Sequence, residues 1–458
     1  MHDAIVVGGG LAGCEAAWQL AERGHRVRLI EMRPVRATPA HRTADLAELV
    51  CTNSFKSTDP SNAHGLLKLE MSLLGSILLR SAHETEVPAG TALAVDRLAF
   101  SRAMTRRIEQ HPRIAVERAE ITELPAGPAV IATGPLTSDR LAATVAGVLG
   151  GGGLAFYDAI APIVARDSID MNVAFFASRW GKGGGDDYLN CPMDRDEYAR
   201  FLGALRAADV YPGHDWEDIP YFEGCLPVEV LAERGDDTLR FGPMKPVGLR
   251  DPRTGRRPWA VVQLRREDRA AQMWNLVGFQ TRLRTGAQRE VFRLIPGLGN
   301  AEFLRTGSIH RNTYLNFPAH LTPWGSPRSR HDLVFAGQLT GVEGYTESAA
   351  SGILAGISLS RILHGSEPSL PPPTTMLGAL YRWLHTATPS EFQPMNSNFG
   401  LLEPLADNVR DKGLRRQRFV ERARADFAEW FARDGIAPDG RHLRIERADN
   451  GRVIAGAT

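Results

Sequence analysis

The chain has 458 residues, enough for two or three domains at about 150 residues each. Hydrophobic residues make up 43% and charged residues 23%, ordinary globular values, and no internal repeat or low-complexity tract is visible. Fifty-four basic side chains against 53 acidic ones leave a formal charge of +1, which excludes a polycation; any nucleic-acid partner must be held by local patches.

Residues 4–31, AIVVGGGLAGCEAAWQLAERGHRVRLIE, read as strand, glycine turn, helix and strand, ending on an acid. The glycines stand at Gly8-x-Gly10-x-x-Gly13, directly after the apolar run Ile5, Val6, Val7. Gly8 permits the tight turn, Gly10 lets the backbone approach a pyrophosphate, and Gly13 allows close helix–strand packing. Free N–H groups at the helix start then face the diphosphate, so Gly8, Gly9, Gly10, Leu11, Ala12 and Gly13 are the expected cofactor contacts. Glu31, eighteen residues past Gly13, is placed to accept hydrogen bonds from an adenosine ribose. Together these features specify a dinucleotide-binding unit. The same stretch is a poor secretory signal, because it lacks a basic start and Glu15 and Gln19 interrupt it at helical spacing.

Residues 32–65, rich in Pro, Thr, Asn, Ser and His, read as a long loop over the site. LLKLEMSLLGSILLR (66–80) has helical periodicity, and VDRLAFSRAMTRRIEQ (95–110) reads as a helix capped by Asp96. Short strands are expected near 114–118 and 129–133, the second running into the small-residue turn Ala132-Thr133-Gly134. GVLGGGGLAF (147–156) has glycines but no following helix and reads as a turn. From about 180 the composition changes: GKGGGDD (181–187) is a flexible segment, and the stretch to about 305 reads as an insertion. The parent sheet resumes with HDLVFAGQLTGVEGYTESAASGILAG (331–356), a buried strand, a second glycine turn at Gly337-Gln338 and a helix of small residues. Two amphipathic helices are expected between 375 and 434. The resulting division is 1–180 and 306–435 for a split cofactor domain, 181–305 for the insertion and 436–458 for a tail.

The four cysteines, Cys14, Cys51, Cys191 and Cys225, form no Cys-x-x-Cys and join no His/Cys cluster of zinc-ligand spacing, so no metal site is expected. No run of about 18 uncharged apolar residues suggests a membrane span, and the chain reads as cytoplasmic with reduced thiols. Local basic patches do occur. Residues 250–269 carry seven arginines (250, 253, 256, 257, 265, 266 and 269) against three acids, and Arg415, Arg418 and Arg422 fall on one helical face.

VVGGGLAGCEAA, LVCTNSFKS (49–57), AHGLLKLEMSLLGS (63–76), DSIDMNVAFFASRWGKGGGDDYLNCPM (167–193), YFEGCLPVE (221–229), FGPMKPVGL (241–249) and AGQLTGVEGYTESAASG (336–352) together resemble one family. It is the TrmFO family, the folate- and FAD-dependent tRNA uracil-5 methyltransferases. The resemblance runs to about residue 435. A sister family, GidA, modifies wobble uridines and carries an added C-terminal helical domain for which this length leaves no room. The implied fold is α/β, a Rossmann-like FAD-binding domain of the GidA-related flavoprotein type with an inserted α+β domain. In many such proteins the second glycine turn reads Gly-Asp; here Gly337 is followed by Gln338, so that contact runs through an amide. Gly134 is expected against the same cofactor.

The chemistry implied is demanding. Carbon 5 of uracil becomes nucleophilic only after a thiolate adds to carbon 6, and a base must then take the carbon-5 proton. 5,10-Methylenetetrahydrofolate supplies carbon at the formaldehyde level, so two further electrons are needed, which reduced FAD provides and NADPH or NADH restores. No second glycine motif follows a strand, so the nicotinamide nucleotide is expected to bind transiently over the flavin. By resemblance, Cys51 and Cys225 are the catalytic pair, one of them a lowered-pKa thiolate. Cys225 is assigned to carbon 6 and Cys51 to the proton or the one-carbon unit on the flavin; the reverse split stays open. Asn53 and Lys56 flank Cys51 as candidate substrate contacts, and His310 is the candidate to stack on the pterin. The T-arm of tRNA, at uridine 54, is the implied partner, with Arg415 and Arg418 among its phosphate contacts and the target base flipped out. No obligatory protein partner is implied. The alternatives are GidA-like wobble modification and a tRNA-binding flavoprotein with a chaperone role.

Overall fold

The apolar run after Asp3 forms strand β1 (Ala4–Val7), and four short strands join it in parallel: β2 (Val27–Glu31), β3 (Ile114–Arg118), β4 (Ala129–Ile131) and β5 (Leu333–Phe335). The structure, a computed structural model, describes residues 2–38, 40–150, 154–211, 226–407, 409–433, 445–447 and 453–455. The sheet order is β5-β4-β1-β2-β3. A parallel sheet is covered on both faces, which is why Val6, Leu29, Ile30, Val130 and Val334 are all buried. Helix α1 (Leu11–Glu22) makes the first crossover. The order reverses between β1 and β4, and the crevice at that reversal is where such sheets bind ligands.

The connection from β2 to β3 holds more structure than its composition suggested. Ser54–Ser57 is a strand, paired antiparallel with Ala92–Val95, inside the stretch expected to be loop. The helix expected over 66–80 is two helices, Ala63–Leu73 and Ile77–Glu84. Gly75 takes a left-handed φ of 75°, and Ser76 caps the second helix through the Leu79 N–H at 3.3 Å. Asp96 caps Arg97–Glu109 as expected, its Oδ1 accepting the Ala99 N–H at 2.9 Å.

A second unit is built on a six-stranded antiparallel sheet ordered Phe175–Phe176, Tyr188–Met193, Ala260–Arg266, Met273–Leu276, Ile163–Ala165 and Phe303–Arg305. It encloses its own core of Trp274, Phe201, Phe279 and Phe292. A ribbon of Leu154–Ile160 paired with Ser308–Tyr314 carries the chain out and back. The expected boundary at 181 therefore falls too late, because 163–165 and 175–176 already belong to this sheet. The glycine-rich 181–187 lies in the loop joining two adjacent strands of that sheet.

After β5 the chain forms helix α2 (Tyr345–Leu363), which lies directly on α1. A Cβ on Gly352 would stand 2.1 Å from the Ala12 carbonyl oxygen, and one on Gly356 would stand 2.7 Å from that of Ala16. The small residues of both helices are what allow this approach. The two tail helices are present as Met376–Thr386 and Lys412–Arg433, the latter anchored by Ala423, Phe427 and Trp430. Among the described residues no helix is long and apolar enough to cross a membrane.

Candidate functional site

The turn after β1 requires glycine twice. Gly8 has φ 101° and a Cβ there would sit 2.5 Å from the Ala132 carbonyl oxygen; one on Gly13 would sit 1.8 Å from that of Gly8. Gly10 and Gly134 have nothing within 4 Å of a would-be Cβ. They edge a cleft whose lining includes Leu11, Ala12, Glu31, Ala132, Gly337 and Gln338. The first N–H groups of α1 have no partner within the helix and stand at this cleft. Glu31 is held firmly. Its Oε2 accepts the Gly9 N–H at 2.8 Å, and its Oε1 accepts the backbone N–H and Nε of Arg33, each at 2.9 Å. Burial alone would raise this carboxyl, but the Arg33 charge and these bonds hold it below the usual range, leaving an ionised acceptor on the cleft wall. Opposite, Gly337 N–H donates to Ser351 Oγ at 2.6 Å and Gln338 Nε2 donates to Glu343 Oε2 at 2.5 Å. A long cleft, bare backbone at Gly10 and Gly134, a helix N-terminus and a buried carboxylate fit a flavin dinucleotide.

The same cleft reaches Tyr345, the first residue of α2, and Tyr345 meets Cys51. The phenol oxygen accepts the Cys51 backbone N–H at 2.8 Å and the thiol at 3.1 Å. Burial first, and then the Cys51 charge, raises the Tyr345 hydroxyl well above the ordinary tyrosine range. Two arginines, Arg265 buried and Arg97 partly so, complete the surroundings. Arg97 donates to the Leu49 carbonyl and pairs with Glu267 at 2.9 Å. Arg265 donates to Thr52 Oγ1 at 2.6 Å and to Asn53 Oδ1 at 2.9 Å. Burial works against the Arg97 charge, but Glu267, Tyr345 and Cys51 together raise it above its ordinary value. Cationic groups beside a sulfur are the setting in which thiolate chemistry operates. Tyr345, Arg97 and Glu267 were not singled out from sequence, and Arg265 was read only as part of a basic patch; Tyr345 lies within the glycine-turn segment, the one local signal for it.

The other expected residues fall in different places. Asn53 is fully buried, with Nδ2 donating to the Val95 and Arg266 carbonyls, both at 2.8 Å; it clasps the two domains together and does not face the cleft. Lys56 is exposed, and its charge helps hold down the buried Glu347: burial would raise that carboxyl, but bonds from His64 and Ser397 with the Lys56 and His64 charges bring it to about 2. His310 lies on the ribbon in register with Asp158, and its side chain is outside the description. Cys225 lies outside the described residues. Cys14 and Cys191 are buried; burial raises both thiols, that of Cys191 to about 12. Of the seven arginines in 250–269, Arg265 is internal, which corrects its reading as part of a surface patch. Arg415 and Arg418 are exposed, whereas Arg422 donates to the Pro404 and Glu403 carbonyls. Among the described residues no His, Cys, Asp and Glu group could hold a metal ion.

Residues 3–367 match the family model of the glucose inhibited division protein A. The chain is 57% identical over 432 residues to the methylenetetrahydrofolate--tRNA-(uracil-5-)-methyltransferase TrmFO of Geobacter sulfurreducens, covering 93% of this chain and 98% of that protein. It is 54% identical over 426 residues to the TrmFO of Geotalea daltonii (93% and 97%) and 53% identical over 418 residues to that of Bacillus cereus strain AH187 (91% and 96%). Among solved structures it resembles GidA of Aquifex aeolicus, with a TM-score of 0.69 at 17% identity over 96% of this chain and 74% of that one, a likeness of fold.

Proposed function

The chain belongs to the TrmFO family and shares the GidA fold, and we propose that it transfers the one-carbon unit of 5,10-methylenetetrahydrofolate to carbon 5 of uracil in tRNA. One observation carries the reading. Tyr345, which holds Cys51, also lines the cleft built on the Gly8–Gly13 turn, so the candidate thiol adjoins the candidate dinucleotide cleft.

FAD bound in that cleft would supply the two electrons that take the carbon from the formaldehyde to the methyl level, with NADPH or NADH replacing them. The N–H groups opening α1 would hold its diphosphate, and the Glu31 carboxylate would hold a ribose hydroxyl. Cys225 adds as thiolate to uracil carbon 6, which makes carbon 5 nucleophilic. Cys51, with Tyr345 as its proton partner, takes the carbon-5 proton after the carbon–carbon bond forms. Loss of that proton expels tetrahydrofolate and leaves an exocyclic methylene on carbon 5; two electrons and a proton then reduce it to methyl as the Cys225 thiolate departs and the 5,6 double bond returns. His310 covers the pterin, and Arg415 and Arg418 contact the phosphate backbone. The target is the T-loop uridine at position 54, in a cytoplasmic tRNA. Modification of a wobble uridine has less support, since the relatives at 53–57% identity carry the name of a tRNA uracil-5 methyltransferase.

The test is label transfer. The purified yellow protein receives NADPH, unmodified tRNA and folate carrying a labelled methylene, and nucleosides are read by mass spectrometry. Labelled 5-methyluridine confined to the T-loop is expected, with none from Cys51→Ala or Cys225→Ala. A labelled adduct at the wobble position, or full activity in either variant, overturns the assignment.

A further inference from the structure

Near the Cys51 cluster, between the two domains, lies a second groove whose walls include Arg42, Thr285, Arg289, Leu304, Arg305 and Thr306. Arg42 comes from the loop after β2 that leads on to Cys51, its backbone N–H fixed to Glu48 Oε1 at 2.7 Å. Arg289 comes from the helix Thr285–Phe292 and Arg305 from the edge strand Phe303–Arg305 of the inserted sheet. Three arginines from two domains thus line one groove. Among the described residues none of the three side chains has a hydrogen bond or an ion pair, whereas Arg33, Arg97, Arg253 and Arg284 all pair with carboxylates.

Like charges repel, and a groove with three arginines and no acid among its lining residues leaves a site for an anion. Two further features point the same way. The helix Thr285–Phe292 opens into the groove through Thr285, and its cap residue Arg284 makes no side-chain cap bond, so the first N–H groups are unclaimed. The hydroxyls of Thr285 and Thr306 add donors on the same wall. The Arg305 side chain, half-buried, is close enough to Arg97 and Tyr345 to be affected by both, which places the groove beside the groups that hold Cys51. Forked guanidinium donors, hydroxyls and a helix N-terminus are the donor set of a phosphate site.

Resting on the function proposed above, we infer that Arg42, Arg289 and Arg305 bind a backbone phosphate of the substrate tRNA next to the target uridine. The occupant follows from the setting. Arg42 and Arg289 are exposed, so the groove is open to a large ligand, and its Arg305 lies within electrostatic reach of Tyr345, which holds the thiol that the uracil must reach. Phosphate contacts fix register and orientation without reading sequence, which is what a flipped nucleotide needs beside a reactive sulfur.

The experiment uses the FAD-loaded full chain and its R42Q/R289Q and R42K/R289K variants, with an unmodified tRNA transcript. Binding is measured against salt, and KM is measured separately for tRNA, methylenetetrahydrofolate and NADPH. R42Q/R289Q is expected to raise the tRNA KM by about tenfold or more and to make the log K against log salt slope shallower by about 1.4–1.8. The lysine pair, which keeps the charge, is expected to retain most of the slope. Unchanged tRNA affinity and slope in the glutamine variant overturn the inference. So does a rise confined to the KM of folate or NADPH, which would give the groove to a co-substrate's carboxylate or diphosphate. Failure of the wild type to make labelled 5-methyluridine would instead sink the functional reading, and the salt slope would still decide whether the groove holds tRNA.

Discussion

Tyr345 and Cys51 stand 294 residues apart in the chain and meet through one oxygen, which takes both the backbone N–H at 2.8 Å and the thiol at 3.1 Å. The tyrosine sits at the start of α2, and the rigid crossing of α1 by α2 fixes where its hydroxyl lies. Tyr345→Phe removes the thiol's acceptor and strands the Cys51 N–H. Single-turnover methyl transfer is expected to fall by about 100-fold, the size of effect that follows a small misplacement of a reacting group. The flavin absorbance should be unchanged, since the cleft wall keeps its aromatic ring. A wild-type rate in rapid-quench measurements would remove Tyr345 from the mechanism.

Gly352 links packing to cofactor binding. A methyl group there would meet the Ala12 carbonyl oxygen at 2.1 Å, and backbone cannot swing aside as a side chain can. Gly352→Ala is expected to push α2 off α1, destabilising the fold by about 1–3 kcal/mol. Ala12 lies in the first turn of α1, so the same shift disturbs the diphosphate site. The purified variant should show both a lower melting temperature and a lower ratio of flavin to protein absorbance. Full flavin occupancy with an unchanged melting temperature would show that the helices tolerate the separation.

What could be read from sequence was local. The Gly8–Gly13 turn announces itself because the steric demands of Gly8 and Gly13 are met by neighbours a few residues away or by the adjoining strand. The helix break at Gly75 was missed for a physical reason: one glycine is only a weak penalty in a helical pattern, and the stop is enforced by Glu15, which accepts the Ser76 hydroxyl and the Leu78 N–H from 61 residues upstream. Arg265 looked like surface charge because its partners, Thr52 and Asn53, lie more than 200 residues away. The Cys51 surroundings were hidden likewise; Tyr345, Arg97 and Glu267 come together only when the inserted sheet docks on the first domain.

Asn53 is the pin of that docking. Its amide serves two carbonyls, one on each side of the domain junction, and its oxygen takes the Arg265 Nε. Asn53→Ala leaves two buried carbonyls and part of a buried guanidinium unpaired, at about 1–3 kcal/mol for each stranded group. The expected result is a loss of roughly 3 kcal/mol or more in denaturant melts, accompanied by faster proteolysis between the domains. Asn53→Asp should recover the Arg265 bond but not the two carbonyl bonds, and so fall between. Equal stability of all three proteins would show that the junction is held elsewhere.

Glu70 gives a pH dependence whose sign can be worked out. It caps the helix Met376–Thr386 from 306 residues away, Oε1 accepting the Met376 N–H at 2.7 Å and Oε2 the Leu377 N–H at 2.8 Å. Burial raises the carboxyl to about 8, outweighing the two N–H donors that favour its charged form. The folded state therefore holds a proton that the unfolded chain releases near its ordinary pKa of 4.5. Its contribution to stability is complete below pH 4.5 and is lost as pH rises towards 8. Glu347, held down to about 2, has the opposite sign: its contribution is present above pH 4.5 and lost as pH falls towards 2. Glu70→Gln stays uncharged at every pH, but its amide NH2 cannot accept one of the two N–H bonds, which costs about 1–3 kcal/mol throughout. The stability of the variant relative to the wild type should therefore rise from pH 5 to pH 9, by as much as roughly 4 kcal/mol at about 1.4 kcal/mol per pKa unit. Urea melts of both proteins at the two pH values measure the difference, and a difference that does not change with pH would mean that Glu70 is ionised in its cap.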